Sequence, residues 1–234
     1  LINKCIIENA EEERYISYLN VNQHWVLNEH RFMGKAVLPG TAYLELARTA
    51  FEHHAHAKSS DMIEIREVYF LHPLIVEEDE DKEVHTLLKK QGEHFEFVIS
   101  TPSGQEHARG IIASIPAQAA EKHDIKAIEC QCDQPEIIID PEFAQKTSDE
   151  LTGLEAQLRQ HFGPHWYNLQ WVKLATHQGL AALELPQDFV ADLIAYQLHP
   201  ALLDIATGFF AMSNQFQGTL PFSYKRLLIK APLP

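Results

Sequence analysis

His30-Arg31-Phe32-Met33-Gly34-Lys35-Ala36-Val37-Leu38-Pro39-Gly40-Thr41-Ala42-Tyr43-Leu44 is the stretch on which the fold turns. After the Pro39-Gly40 turn, Thr41 can cap a helix, and Leu44, Ala47 and Phe51 recur at i, i+3 and i+7, which predicts a helix from about Thr41 to His53. Far downstream, His199-Pro200-Ala201-Leu202-Leu203 repeats the theme. Pro200, whose fixed φ suits a first helical turn, opens a second apolar helix through Leu203, Ala206 and Phe210. A helix that is apolar nearly all round must be wrapped, and a curved antiparallel sheet is the natural wrapper. The reading is therefore α+β: two similar units packed side by side, related in architecture but without convincing sequence identity.

Working outward, alternating and aromatic-rich pieces such as Tyr15-Ile16-Ser17-Tyr18-Leu19 suit strands. Further strands are expected at Met62 to Leu71, Val84 to Lys89, Phe95 to Ser100 and Ala108 to Ile115, with Gln91-Gly92 and Pro102-Ser103-Gly104 as turns. The acidic run from Glu77 to Glu83 reads as a solvated loop between two of them. Periodicity fades between Pro116 and Pro141, so residues 1–115 form the first half, 116–141 a linker and 142–234 the second half. In the second half, Thr147-Ser148-Asp149-Glu150 has the capping-box pattern ahead of the stripe Leu151, Leu154, Leu158. Strands are expected at Asn168 to Thr176 and Gly179 to Leu185.

The 234 residues carry 33 acidic and 19 basic side chains, a net charge of −14, which argues against a nucleic-acid partner because phosphate binding needs a basic face. No apolar run approaches the roughly 20 residues of a membrane helix, and Leu1 to Ala10 lacks the pattern of a signal peptide, so a cytoplasmic protein is expected. Three cysteines, Cys5, Cys130 and Cys132, are an odd number, and reduced thiols are the default. His53-His54-Ala55-His56 lacks complementary Cys or carboxylate spacing and suits a helix C-terminus better than a metal, so no metal site is expected. Trp25 and Trp171 read as core or tunnel walls, and Trp166 and Tyr167 as channel lining or core.

Three segments place polar groups in apolar surroundings. His30 is either a surface residue before a turn or a titratable group beside a helix N-terminus, whose free N–H groups can meet developing negative charge. Asp204 lies between Leu203 and Ile205 in the most apolar helix of the chain, so it either points to solvent or holds a raised pKa, as a general acid requires. His161-Phe162-Gly163-Pro164-His165-Trp166 is a Gly-Pro turn among aromatics.

Together these segments resemble the dehydratase domain of modular polyketide synthases, a relative of the fatty acid synthase dehydratases. The family motif HxxxGxxxxPG is matched by His30, Gly34, Pro39 and Gly40, and HPxxxD by His199, Pro200 and Asp204. Its YGPxF motif is approximated by Phe162-Gly163-Pro164-His165-Trp166, and LPFxY is matched by Leu220-Pro221-Phe222-Ser223-Tyr224. The order and wide spacing agree across almost the whole chain. The resemblance implies a double hot-dog fold and dehydration of a 3-hydroxyacyl chain carried on acyl carrier protein to an α,β-unsaturated thioester. It implies that His30 is the base, that Asp204 is the acid, and that Pro39, Gly40, Phe162, Gly163, Pro164, His199, Pro200 and Gly208 line the substrate site. It implies no metal, nucleotide or redox cofactor, because the phosphopantetheine arm arrives with the carrier. The implied partners are acyl carrier protein and neighbouring synthase domains, and a homodimer through the parent synthase is compatible with it.

Two residues depart from the pattern. Position 208 is Gly where the family has Gln or His one turn after the acid, so a water or a side chain from elsewhere has to orient Asp204. Phe162 replaces the family Tyr and removes a hydroxyl. The family also continues with further strands after LPFxY, so the second sheet is expected to be incomplete in this chain. Competing tasks for the same pair are double-bond migration, oxa-Michael ring closure and aldol cyclisation, and Gly208 raises the alternative of an inactive acyl-binding or dimerisation module. Retention of Asp204 favours dehydration over migration. Carrier proteins are commonly acidic, so docking is expected to rely on a local basic patch or on tethering within one polypeptide.

Overall fold

A computed structural model describes residues 1–9, 11–53, 61–119, 122–151, 153–212 and 222–231. The chain opens with strands β1 (Lys4–Glu8) and β2 (Glu12–Leu19), the short helix α1 (Trp25–Asn28), and the small strands β3 (Arg31–Phe32) and β4 (Lys35–Val37). Helix α2 (Gly40–His53) follows, then β5 (Asp61–Phe70), β6 (Ile75–Val76), β7 (Lys82–Gln91), β8 (His94–Ser100) and β9 (Glu106–Pro116). After them come α3 (Ile125–Cys130), β10 (Ile137–Ile138), α4 (Gly153–His161), β11 (Leu169–Leu174), β12 (Gly179–Leu183), α5 (Pro200–Met212) and β13 (Ser223–Ile229).

Seven strands form one antiparallel sheet in the order β1-β2-β7-β8-β9-β5-β13. Its alternating side chains close on α2, in which Ala42, Leu44, Leu46, Ala47, Ala50 and Phe51 are all buried. Tyr15, Leu19, Ile65, Leu88, Phe97 and Ile99 supply the sheet's half of that core. A second core gathers Ala201 and Ile205 of α5 with Leu158, Trp166, Leu169 and Val172, beside the antiparallel sheet β10-β11-β12. Leu203 and Trp25 pack against the first core, and Trp25 also packs against the second, so the two are in contact rather than separate. This is the α+β build expected from the two apolar helices, and the double hot-dog fold that the family resemblance implies.

Several local expectations need correction. Thr41 is not a cap: α2 starts at Gly40, and the buried Thr41 hydroxyl donates to Pro200 O at 2.9 Å, tying the start of one central helix to the start of the other. The capping box at Thr147 exists, but it closes a 3-10 turn, Ser148–Glu150, and α4 begins only at Gly153. The stretch 116–141 is more than a connector, since β10 pairs with β11, and Glu129 at the end of α3 holds Lys173 at 2.5 Å. The acidic run is the exposed loop expected, between β6 and β7, and within it Glu78 pairs with Arg31 and Asp81 accepts from Asn20 Nδ2 at 2.8 Å. β13, although it belongs to the C-terminal stretch, adds to the first sheet beside β5.

His54, His56, Leu220 and Pro221 lie outside the described residues. Among the described residues no helix is long and apolar enough to cross a membrane. The third sheet, β3-β4-β6, matters most for chemistry. Met33 (φ 52°) and Gly34 (φ 79°) make its tight turn, both in the left-handed region as a two-residue hairpin of this twist requires. That hairpin folds Val37 back onto His30, whose carbonyl accepts from Val37 N at 3.1 Å.

Candidate active site

His30 and Asp204 meet. The imidazole Nε2 lies 4.0 Å from Asp204 Oδ2, with the two side chains 18% and 19% exposed, so both are sheltered yet reachable. The other ring nitrogen is committed: His30 Nδ1 is 2.6 Å from Val37 O. A carbonyl can only accept, so Nδ1 carries the proton and the neutral ring keeps its lone pair on Nε2, on the side that faces Asp204. At 4.0 Å neither group spends its proton or lone pair on the other.

Asp204 is carried by α5 and, among the described residues, is held by one side-chain donor, Trp166 Nε1–H, at 2.9 Å. Burial pushes its carboxyl above the ordinary carboxylate range, against the opposing pull of His30 and the Trp166 hydrogen bond. A raised pKa is what the sequence required of an acid in an apolar helix. Gly208, one turn further along α5, brings no side chain to the carboxylate, and the donor to it comes from Trp166 on another segment.

The aromatic turn is bonded directly to the segment that carries His30. His30 and Phe162 form an isolated antiparallel bridge, and Gly163 N donates to Glu29 O at 2.8 Å. A Cβ at Gly163 would come within 2.4 Å of Glu29 Cγ, so this close approach needs glycine. Pro164 starts the 3-10 turn Pro164–Trp166, itself exposed, and shapes the turn rather than facing the pair. Glu29 then grips His165 twice: Oε2 accepts from the backbone N at 2.8 Å, and Oε1 lies 2.8 Å from Nδ1. Asp192 Oδ2 stands 3.1 Å from the other ring nitrogen, and Trp25 stacks on the ring at 4.0 Å. Neither Glu29 nor His165 was singled out from the sequence, and the only signal was their position next to motif residues.

Pro39 is buried under the start of α2, and Gly40 begins that helix, whose first N–H groups lack intrahelical acceptors. The Phe70 ring sits 3.1 Å from where a Gly40 Cβ would be, and Tyr224 meets Phe70 edge-on at 5.6 Å. The Tyr224 hydroxyl donates to Thr207 Oγ1 at 2.9 Å, and burial, reinforced by the charge of Asp204, raises its pKa. Phe162 stacks on Trp166 at 5.7 Å.

His199 and Pro200 are placed differently from the substrate-lining role expected of them. His199 is 0% exposed, stacked on Trp25 at 5.1 Å, and its Nδ1 accepts from Leu202 N at 3.4 Å. Pro200 is buried, with its carbonyl engaged by Thr41. Both pack the entry to α5. Burial, aided by nearby His165, lowers the His199 pKa to about 4 from its ordinary 6.5. Because the folded value lies below the unfolded one, His199 contributes stability that is complete above pH 6.5 and is lost as pH falls toward about 4. At roughly 1.4 kcal/mol per pH unit the loss approaches about 3 kcal/mol. Urea unfolding of wild type and His199→Asn at pH 7 and pH 4.5 should show the wild type losing the larger share of its stability. Equal losses in the two proteins would remove His199 from the acid response.

Two family models match the chain. One described as polyketide synthase dehydratase domain takes in residues 1–102, and one described as polyketide synthase dehydratase N-terminal domain takes in residues 140–234. Polyketide synthase PksN of Bacillus subtilis (strain 168) is 26% identical over 230 residues, covering 94% of this chain and 4% of that protein. Polyketide synthase ThaG of Burkholderia thailandensis is 28% identical over 192 residues, covering 77% of this chain and 3% of that protein. The chain thus spans only a small fraction of these relatives. Among solved structures, a trans-AT polyketide synthase dehydratase domain from Brevibacillus brevis superposes with a TM-score of 0.79 at 26% identity, covering 99% of this chain and 82% of that one. The dehydratase domain from the CurF module of curacin polyketide synthase shares the fold, with a TM-score of 0.81 at 24% identity, covering 98% and 82%.

Proposed function

This chain belongs to the polyketide synthase dehydratase domains, and from that premise we propose that it removes water from a 3-hydroxyacyl thioester delivered on the phosphopantetheine arm of an acyl carrier protein. The observation that carries this reading is the pairing of a His30 Nε2 lone pair with the Asp204 carboxyl at 4.0 Å, the latter pushed toward its protonated form by burial. His30 Nε2 takes the α-proton, and the electron pair moves toward the thioester carbonyl as enolate-like charge. The free N–H groups at the start of α2, at Gly40, are the chain's means of meeting that charge. Asp204 gives its proton to the β-hydroxyl as the carbon–oxygen bond breaks, water leaves, and an α,β-unsaturated thioester remains. The site then resets when the proton held by His30 is returned to Asp204.

The domain needs no resident cofactor for this chemistry. Its partners are the carrier and neighbouring domains of a synthase that works in the cytoplasm, a setting supported by the much longer synthases it matches. Mass spectrometry of a 3-hydroxyacyl carrier protein or pantetheine thioester incubated with the protein should show loss of one water. A product of unchanged mass that carries a ring or a shifted double bond would reassign the pair to cyclisation or migration. Unreacted substrate would sink the catalytic reading and leave an acyl-binding module.

A further inference from the structure

The helix that carries Asp204 offers it no side-chain donor. On an α-helix the neighbours of residue 204 on its own face are residues 200, 201, 207 and 208. Here they are Pro200, Ala201, Thr207 and Gly208. Thr207 alone has a hydroxyl, and that hydroxyl donates to Leu203 O at 2.8 Å while accepting from Tyr224. A carboxyl with free rotation at χ1 and χ2 would not hold its proton toward a β-hydroxyl for long.

We propose that Trp166 is the positioning residue for Asp204: its indole N–H, 2.9 Å from Oδ2, fixes from outside the helix the carboxyl that α5 leaves unsupported. The proposal rests on the dehydratase reading of the His30–Asp204 pair and deepens it. Trp166 is suited to the task because it is itself immobilised. It is 0% exposed, stacked with Phe162 and packed edge-on against Trp25 at 5.6 Å. Its neighbour His165 is the residue gripped at two points by Glu29, and Glu29 is the neighbour of His30. The two-residue segments Glu29-His30 and His165-Trp166 therefore form one bonded unit, in which one member places the base and the other places the acid's partner. Oδ2 accepts the indole hydrogen bond and also faces His30, so Oδ1 is the oxygen left to carry the proton to the substrate.

Among the described residues the groups that act on the Asp204 carboxyl are His30, the Trp166 indole and, by its charge environment, Tyr224, so removal of the indole N–H has a definite sign. That bond favours the ionised carboxylate, so its loss moves the Asp204 pKa further up, in the direction burial already pushes it. In Trp166→Phe, kcat for water loss should fall about tenfold to a hundredfold through lost orientation, with KM within about twofold of wild type. The alkaline limb of the kcat profile should move to higher pH. Adding Gly208→Gln, which places an amide one helical turn from Asp204, should recover part of kcat and bring the limb back. A kcat and alkaline limb equal to wild type in Trp166→Phe would overturn the proposal, as would a limb that Gly208→Gln leaves displaced.

A second measurement needs neither activity nor a stable Trp166 variant. In nitrogen-labelled wild type without substrate, the Trp166 indole N–H resonance should follow the titration of Asp204, and it should be flat over the same range in Asp204→Asn. An indole resonance that ignores the Asp204 titration would overturn the hydrogen bond. If wild type releases no water yet the indole still reports Asp204, the dehydratase reading fails while the positioning contact stands.

Discussion

His30→Ala and Asp204→Asn should each lower the rate of water loss by about a hundredfold to ten-thousandfold, the range that one well-placed acid or base supplies. The double variant should be little worse than the weaker single variant. In the proposed reaction base and acid act on one proton and one hydroxyl of the same substrate, so either loss already disables the concerted arrangement. The geometry sets which form of each is active. Val37 O holds the proton on His30 Nδ1, so the neutral ring is ready to accept at Nε2. Asp204 must hold a proton, and burial lets it do so above the usual carboxylate range. On the proposed roles, activity should be lost as pH rises through the raised Asp204 pKa, and the alkaline limb of the residual activity should vanish in Asp204→Asn.

A stability effect of opposite sign accompanies this loss. A carboxyl whose folded pKa is raised is held more tightly protonated in the native state, so its contribution declines as pH climbs from the ordinary carboxylate value through the raised one. Asparagine at 204 cannot ionise. The variant that loses activity should therefore keep its stability across that window better than wild type, as denaturant titrations at a series of pH values would read. Wild-type rates in either single variant would refute the catalytic assignment. Parallel stability profiles for wild type and Asp204→Asn would refute the burial of an ionisable group at the site.

The parts of this site that the sequence showed are those held by local spacing. The interval from His30 to Gly40 contains the whole β3–β4 hairpin that turns Val37 back to the imidazole, and the motif survives as a spacing because the hairpin and helix have fixed lengths. The two central helices were visible because their apolar residues recur at helical spacing nearly all round, and the strands that wrap α2 because their burial alternates. Side-chain partners across long separations leave no such trace. Trp166 to Asp204 and Glu29 to His165 are contacts between segments that share no period. The pairing of β13 with β5 was equally hidden, since strand order in a sheet is decided by edges and crossovers rather than by either strand's composition. The burial of His199 was hidden too, because its stack on Trp25 is a property of the folded core and not of the motif.

Glu45 is the other long-range contact with a large expected effect. It sits in α2 with its side chain 2% exposed, in a helix otherwise chosen for apolar packing, and its partner Arg48 is 5% exposed. Its two oxygens accept from Arg48 Nε at 2.7 Å and from the far end of the same guanidinium at 2.6 Å, and Oε2 also accepts from Leu198 N at 3.0 Å. Arg48 reaches on to Glu52, which is half-buried. This cluster therefore holds Leu198, the residue before the His199-Pro200 entry to α5, against α2. Removing one member of a buried pair costs more than the pair contributed, because the remaining charge stays out of water.

Glu45→Ala should accordingly destabilise the fold by about 3 to 5 kcal/mol, toward the lower figure because Glu52 still meets Arg48. It should also lower kcat, since freeing Leu198 loosens the helix that aims Asp204. Glu45→Gln retains an acceptor for Leu198 N and should keep more of kcat than Glu45→Ala while still losing stability through the unpaired guanidinium. Paired urea titrations and rate measurements separate the two roles. A Glu45→Ala protein within about 1 kcal/mol of wild type would mean that Arg48 finds water or Glu52 at no cost, and the cluster would then have no part in joining the two helices.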